Sequence, residues 1–117
     1  MKRIAIPVIE EHLSEYFGEC HHYEIFEFDG KKVWKKGTVF PEVNNASELP
    51  GWLEEMGITD VVSFRVSKQI INLFASKKVN LFVGVRQQTP KQIIDAWLEG
   101  RLESDERIIE EITQSEK

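Results

Sequence analysis

The order of strand-like and helix-like segments in the second half of the chain constrains its fold more than any other feature. Residues 61–64 form a short apolar run, residues 66–74 carry apolar side chains at helical spacing, and residues 79–83 return to a strand pattern. A helix between two strands is typical of a parallel crossover, because a tight hairpin leaves no room for one. The second half therefore predicts an α/β arrangement.

The first half has the pattern of an antiparallel meander. Residues 3–8 form a short, partly β-branched strand, and residues 22–29 alternate between polar and apolar side chains. The pair Asp29-Gly30, followed by Lys31-Lys32 and another apolar run, predicts a two-residue hairpin. The second and third strands are therefore expected to be antiparallel neighbours.

Three amphipathic helices complete the pattern. The first is predicted to start at a Ser47 cap and to end at Gly57, the second starts near Ser67, and the third runs from a Thr89 cap to Gly100. The resulting order, βββαβαβα, predicts a ribonuclease-H-like α/β fold. Its five-stranded mixed sheet has the strand order 3-2-1-4-5, with the helices on the sheet faces.

Charge is distributed unevenly along the chain. Residues 103–117 hold six acidic and two basic residues and so carry −4 of the net charge of −5, whereas residues 1–102 carry −1. We expect residues 1–102 to form one domain. The acidic tail has an apolar stripe at Ile108, Ile109 and Ile112, and two alternatives stay open for it: a fourth helix or a frayed terminus.

Composition excludes several classes of partner and site. A broad basic face is missing, which argues against nucleic-acid binding. The only cysteine is Cys20, so no intramolecular disulfide can form. No signal-peptide core follows the first residues, and no apolar stretch approaches the roughly 18 residues needed to cross a bilayer. We therefore expect a soluble cytoplasmic protein without a membrane partner.

All the imidazole and thiol side chains of the chain fall within eleven residues: His12, Cys20, His21 and His22. The predicted fold places them at the edge where the parallel strands end and where ligands of open α/β sheets tend to bind. Thiolate and imidazole suit zinc, copper(I) or an iron–sulfur species. If the four residues form a metal site, Cys20 and His22 share a strand face, His21 does not, and the pKa of Cys20 is low. The alternative is a packed cysteine beside solvated histidines.

Two arginines and two helix starts are predicted at the same edge. Arg65 precedes the Ser67 cap, and Gly84 and Arg86 precede the Thr89 cap. Guanidinium groups and free helix amides favour an anionic ligand, such as an oxyanion. The alternative is that both arginines pair with loop carboxylates such as Glu10, Glu11 or Glu19.

No catalytic constellation is legible in the sequence. A ribonuclease-H-type nuclease needs grouped carboxylates, but residues 3–8 contain none and Asp60 belongs at the opposite end of the sheet. No nucleophilic triad, phosphate-binding loop or dinucleotide motif follows a strand. The sequence therefore predicts a protein that is not an enzyme.

Three stretches together resemble the dinitrogenase iron–molybdenum cofactor biosynthesis family. They are residues 4–8 with 14–20, residues 53–62, and Gly84 with residues 89–102. The resemblance covers about residues 2–102 and leaves the acidic tail unmatched. Two departures from the family pattern occur in this chain. Tyr16 stands where many members have histidine, and Ser63-Phe64-Arg65-Val66 replaces a glycine-rich turn.

The resemblance implies a ribonuclease-H-like fold and a role in handling a metal cofactor. One hypothesis is a non-enzymatic carrier of an anionic metal cofactor or iron–sulfur precursor, with an iron–sulfur or molybdenum cluster as cargo. Its partners would be proteins that donate or accept that cofactor. The other hypothesis is a metal-free interaction or regulatory module with the same fold.

Overall fold

Six strands form one mixed sheet in this computed structural model, which describes residues 2–30, 32–43 and 45–115. The strands are β1 (Lys2–Ile9), β2 (His12–Leu13), β3 (His22–Asp29), β4 (Lys32–Val39), β5 (Asp60–Val62) and β6 (Asn80–Phe82). A 3-10 turn (Ala46–Glu48) precedes the helices α1 (Leu49–Glu55), α2 (Lys68–Ala75), α3 (Pro90–Leu98) and α4 (Glu106–Ser115).

The sheet has the order β4-β3-β1-β5-β6, and β2 pairs with β1 beside this path. β3 is antiparallel to both β1 and β4, whereas β5 is parallel to both β1 and β6. The mixed α/β class is therefore confirmed, and the five strands of the main path lie in the expected sequence. The strand count differs, because the short strand β2 adds a sixth.

The turn between β1 and β2 explains why no sequence pattern indicates this sixth strand. Ile9 pairs with His12, so Glu10 and Glu11 form a two-residue loop. Their φ angles are 50° and 67°, in the left-handed region that hairpins usually fill with asparagine or glycine. Two consecutive glutamates carry no sequence signature of such a turn.

The β3–β4 hairpin is confirmed. Asp29 pairs with Lys32, and Gly30 takes a φ of 66° in the turn. Glycine suits this position because a Cβ atom disfavours positive φ. Lys31 lies outside the described residues.

The start of α1 differs from the prediction, whereas its end agrees. The chain enters α1 through the 3-10 turn, where the Asn45 backbone N–H donates to the Glu48 carboxylate at 3.2 Å. Ser47 therefore lies inside this turn and is not the cap. Gly57, with a φ of 77°, follows the helix as expected.

The caps of α2 and α3 are confirmed. The Ser67 side chain accepts a hydrogen bond from the Ile70 amide, and the Thr89 side chain accepts one from the Gln92 amide. These caps fix where both helices leave the carboxyl edge of the parallel strands.

Apolar side chains pack on both faces of the sheet. On one face, α1, α2 and α4 cover a first core cluster that includes Ala5 and Phe74. On the other face, α3 covers a second core cluster that includes Ile4, Ile6 and Phe28. The alternation of Ile4, Ala5 and Ile6 shows how β1 supplies both cores from one strand.

The acidic tail forms α4 and packs against the first core cluster. Ile112 is buried, and Ile108 and Ile109 lie against the same cluster. The Asp105 amide donates to the Val83 carbonyl at 2.7 Å, so the segment before α4 also bonds to the chain just after β6. Glu116 and Lys117 lie outside the described residues. None of the described helices has the length and apolarity needed to traverse a bilayer.

Candidate functional site

Backbone hydrogen bonds join the loops that follow the parallel strands. The Phe17 amide donates to the Arg65 carbonyl at 2.8 Å, and the Arg65 amide donates to the Glu15 carbonyl at 3.0 Å. The Gly84 amide donates to the Phe64 carbonyl at 2.9 Å. The β2–β3 loop and the loops after β5 and β6 therefore form one connected edge that can hold side chains in fixed positions.

An open cleft of about 1000 Å³ lies at this edge, between the β6–α3 loop, α3 and the chain leading into α4. Its charged lining consists of three basic and five acidic side chains: Arg86, Arg101, Arg107, Asp95, Glu99, Glu103, Asp105 and Glu106. The lining includes two of the candidate site residues, Gly84 and Arg86, together with residues of the acidic tail segment, whose position at this edge no sequence pattern indicates.

The three arginines of the cleft differ in how far their charge is neutralised. Arg101 Nε lies 2.7 Å from a Glu99 carboxylate oxygen, and Arg107 Nε lies 3.6 Å from one of Asp105. Arg86 is exposed and makes no ion pair within the described part of the chain. Arg86 is therefore the arginine most available to an anion.

Arg65 is placed differently from Arg86, although both follow parallel strands that end at the same edge of the sheet. Arg65 is absent from the cleft lining. Its Nη1 lies 3.2 Å from a carboxylate oxygen of Glu111 on α4, and its guanidinium carbon lies 5.3 Å from the centre of the Phe64 ring. The predicted alternative, pairing with a loop carboxylate, named the wrong partners, because the tail supplies the carboxylate.

The two helix starts offer fewer free donors than expected. Pro90 has no N–H, and the Gln92 N–H is already bonded to Thr89. Likewise, the Ile70 N–H is bonded to Ser67. These helix amides are therefore bonded to the cap side chains and are not free to bind an anion.

Gly84 has a structural reason to be glycine. Its φ is 83°, and a Cβ atom at this position would lie 2.7 Å from the Asp105 Cβ and 3.0 Å from the Ile108 Cβ. The close approach of the α4 segment therefore accounts for this residue without a ligand.

Cys20 has an environment opposite to the one predicted for a metal thiolate. The side chain is half-buried and packs against the first core cluster, on the side of Tyr23. Burial raises the pKa of the Cys20 thiol, and the Tyr23 hydroxyl opposes that shift. The structure therefore favours the protonated thiol, whereas a ready metal ligand would have a low pKa.

His21 and His22 lie side by side, contrary to the expectation that they point to opposite faces. Their Nδ1 atoms are 2.9 Å apart. Strand β3 begins at His22, so the alternation of strand residues does not extend back to His21 or Cys20. His12 instead contacts the Glu10 carbonyl through its Nδ1, at 2.9 Å. Within residues 2–30, 32–43 and 45–115, no three His, Cys, Asp or Glu side chains gather around a common metal position.

One protein-family sequence model matches most of this chain. The sequence model described as "Dinitrogenase iron-molybdenum cofactor" matches residues 1–100. The chain belongs to this family. No protein with a curated description matches the chain. The match ends before α4, so the helix that pairs with Arg65 and packs on Gly84 lies outside the family region.

Solved structures share the fold of this family member. The crystal structure of PH0822 aligns with a TM-score of 0.80 at 23% identity, over 88% of this chain and 94% of that one. The apo form of the orange protein from Desulfovibrio gigas gives 0.72 at 15% identity, over 90% and 93% of the two chains. The protein MJ0327 from Methanocaldococcus jannaschii gives 0.69 at 18% identity, over 88% and 93%. At these identities the likeness concerns the fold alone.

Proposed function

We propose that this chain is a non-enzymatic binding or carrier protein for an anionic metal cofactor or iron–sulfur cluster precursor. The observation that carries the proposal is Arg86, an exposed arginine without an ion-pair partner among the described residues, in a cleft at the carboxyl edge of the parallel strands. Family membership supports a metal cofactor as the class of cargo.

The cleft suits a cofactor held by charge and hydrogen bonds. Its lining contains no histidine or cysteine, so it offers no soft ligand to a cluster. Guanidinium groups instead suit oxyanions and other anionic groups, which they bind through paired N–H donors. A volume of about 1000 Å³ is large enough for a cofactor-sized ligand.

The carboxylates of the cleft impose selectivity. Glu99 and Asp105 already hold Arg101 and Arg107, so an anion must compete with them for these two arginines. The five carboxylates of the lining also outnumber its three arginines, so the cleft disfavours an anion that is not held by a guanidinium group. The cargo is therefore expected to bind at Arg86, the one arginine of the lining without an ion-pair partner among the described residues.

Titration calorimetry with molybdate and tetrathiomolybdate tests the proposal. Because a charge-assisted hydrogen bond contributes about 1.5–3 kcal/mol, Arg86→Gln is expected to weaken binding roughly ten- to a hundredfold. Arg65→Gln is the matched control, since Arg65 lies outside the cleft and should leave the affinity unchanged. Equal affinities for wild type and Arg86→Gln, or equal losses in both variants, would contradict the proposal.

The second candidate is a metal-free interaction or regulatory module. It is favoured by α4, because the chain's own helix packs on Gly84 and neutralises Arg65 at the same edge. Metal analysis after anaerobic purification separates the two candidates. The carrier proposal predicts cargo, or its uptake on reconstitution, whereas the module predicts neither. A cytoplasmic location and a protein that donates or accepts the cargo belong to the carrier proposal.

A further inference from the structure

Two neighbouring histidines outside the cleft have the geometry of a chelating pair. The Nδ1 atoms of His21 and His22 are 2.9 Å apart, and their rings stand at 89° to each other. Metal–imidazole bonds are about 2.0–2.1 Å long, so two nitrogens at a right angle around one cation lie about 2.9 Å apart, against about 3.3 Å for a tetrahedral angle. The observed separation is that of a hydrogen bond between the two nitrogens. It also equals the right-angle spacing, so a cation can take the place of the shared hydrogen with the nitrogens at their present separation.

Backbone hydrogen bonds to β1 hold the two histidines next to each other. The His21 amide donates to the Val8 carbonyl at 2.9 Å, and His22 pairs with Val8 in the β1–β3 register. Phe40 flanks both imidazoles, with ring centres 5.7 Å from His21 and 6.1 Å from His22. The pair is therefore held from two sides, so little ordering is left for a cation to impose.

A carboxylate near the Nε2 atom of His22 favours a free lone pair on its Nδ1 atom. The other ring nitrogen, Nε2, lies 3.6 Å from a carboxylate oxygen of Glu24. A carboxylate behind an imidazole favours the proton on that side, which leaves the Nδ1 lone pair for a metal. Lys36 Nζ lies 3.5 Å from the other oxygen of Glu24 and offsets its charge.

We propose that His21 and His22 bind a divalent transition-metal cation with square-planar or octahedral preference, Cu²⁺ or Ni²⁺, through their two Nδ1 atoms. Water completes the coordination, since His21 is exposed and His22 is partly exposed. On binding, the cation replaces the hydrogen shared by the two Nδ1 atoms, and the proton of His21 moves to its Nε2. The site is independent of the cargo proposed above, because neither histidine lines the cleft.

The distance of 2.9 Å between the two Nδ1 atoms favours some cations over others. Square-planar and tetragonal nitrogen sites are typical of Cu²⁺ and Ni²⁺, whereas Zn²⁺ favours tetrahedral sites with more protein ligands. Cys20 packs against the core and supplies no third ligand here. We therefore expect Ni²⁺ and Cu²⁺ to bind more tightly than Zn²⁺.

Calorimetric titration of the full chain with Ni²⁺ is the first test. Wild type should bind one equivalent, and His21→Ala and His22→Ala should each weaken binding at least tenfold. His12→Ala is the matched control: it removes the third histidine of the chain, whose Nδ1 contacts the Glu10 carbonyl, and should leave binding unchanged. Glu24→Gln should weaken binding to a smaller degree than loss of either histidine.

Electron paramagnetic resonance of the Cu²⁺ complex is the second test. It is recorded on Cys20→Ser, so that the thiol cannot reduce the metal, and is expected to show an axial spectrum with coupling to two imidazole nitrogens. Circular dichroism of each variant monitors folding. Absence of Ni²⁺ binding in wild type, undiminished binding in a folded His21→Ala variant, or an equal loss in His12→Ala would overturn the proposal.

Discussion

At the scale of single residues, burial decides the chemistry of Cys20. A thiol at the start of a strand among histidines has the composition of a metal ligand, but its side chain packs beside Tyr23 against the first core cluster. Desolvation penalises the thiolate, which raises the pKa of Cys20. The same residue in an exposed loop would have an ordinary pKa.

This shift predicts a pH dependence of stability. Above the ordinary thiol pKa the unfolded chain loses the Cys20 proton while the folded chain retains it. The contribution of Cys20 to the free energy of unfolding is therefore complete below the unfolded pKa and declines as pH rises toward the folded pKa. Urea unfolding of wild type and Cys20→Ala across mildly alkaline pH should show this decline in wild type relative to the variant. A constant difference between the two proteins would contradict the prediction.

The β1–β2 turn carries local backbone strain at two residues. Left-handed backbone costs a non-glycine residue about 1–2 kcal/mol, and Glu10 and Glu11 both adopt it. Replacing them by the Asn-Gly pair that such turns favour should raise the free energy of unfolding by about 1–2 kcal/mol, measured by urea unfolding.

A control separates turn strain from loss of charge. Glu42 is an exposed loop glutamate without positive φ, so Glu42→Gly removes one charge without relieving strain. That variant should be neutral or less stable, because glycine adds conformational freedom to the unfolded chain. A gain in stability similar to that of the Asn-Gly double variant would show that charge, not φ, is responsible.

At the scale of elements, the segment leading into α4 bonds to the chain just after the edge strand β6. The Val83 amide bonds to the Ser104 side chain at 3.0 Å, and the Val83 carbonyl accepts from the Asp105 amide at 2.7 Å. These bonds occupy backbone groups beside an edge strand, where open groups invite pairing with other chains. The acidic tail therefore has a packing role that its charge alone does not suggest.

Truncation after Leu102 should destabilise the protein and promote self-association. Losing the buried Ile112 side chain costs about 1.5–3 kcal/mol, and each lost hydrogen bond of Val83 costs about 1 kcal/mol. The free energy of unfolding is thus expected to fall by about 3–5 kcal/mol in urea titrations. Sedimentation velocity should detect larger species at concentrations where the full chain is monodisperse.

A double-mutant cycle with Gly84→Ala checks that contact with α4 causes the loss. In the full chain the new methyl group meets Asp105 and Ile108 and also sits at positive φ, whereas in the truncated chain only the φ cost remains. Gly84→Ala should therefore cost more in the full chain. If Gly84→Ala lowers the free energy of unfolding equally in the full and the truncated chain, contact with α4 does not contribute to its cost.

At the scale of the whole molecule, two cores share the central strands. The first core cluster contains Ala5 and Val61, whereas the second contains Ile4 and Val62. Because neighbouring residues of β1 and β5 face opposite cores, loss of one core removes support from the strands that hold the other. The domain should therefore unfold as a unit.

Large-to-small substitutions on opposite faces test this cooperativity. Phe28 belongs to the second core cluster and Phe74 to the first, and both are almost fully buried. Phe28→Ala and Phe74→Ala should each lower the free energy of unfolding by about 3–5 kcal/mol. Fluorescence and circular dichroism should still give coincident single transitions in urea. Separate transitions in either variant would show that the two cores unfold independently.

Elements with a local cause were predictable from the sequence. Caps at Ser67 and Thr89, the positive-φ glycines Gly30 and Gly57, and the alternation of β3 each act over a few residues, so they were predictable from residue type and spacing. These elements were enough for the mixed α/β class, because parallel crossovers require helices between the strands.

Only the tertiary structure shows which candidate site residues lie close together. Arg65 finds its carboxylate 46 positions away at Glu111, so only the packed chain shows that Arg86 alone of this pair lines the cleft. His21 meets His22 because β3 begins one residue later than His21, and burial beside Tyr23 sets the pKa of Cys20. Charge neutralisation and desolvation depend on distances between remote segments, which no local pattern encodes.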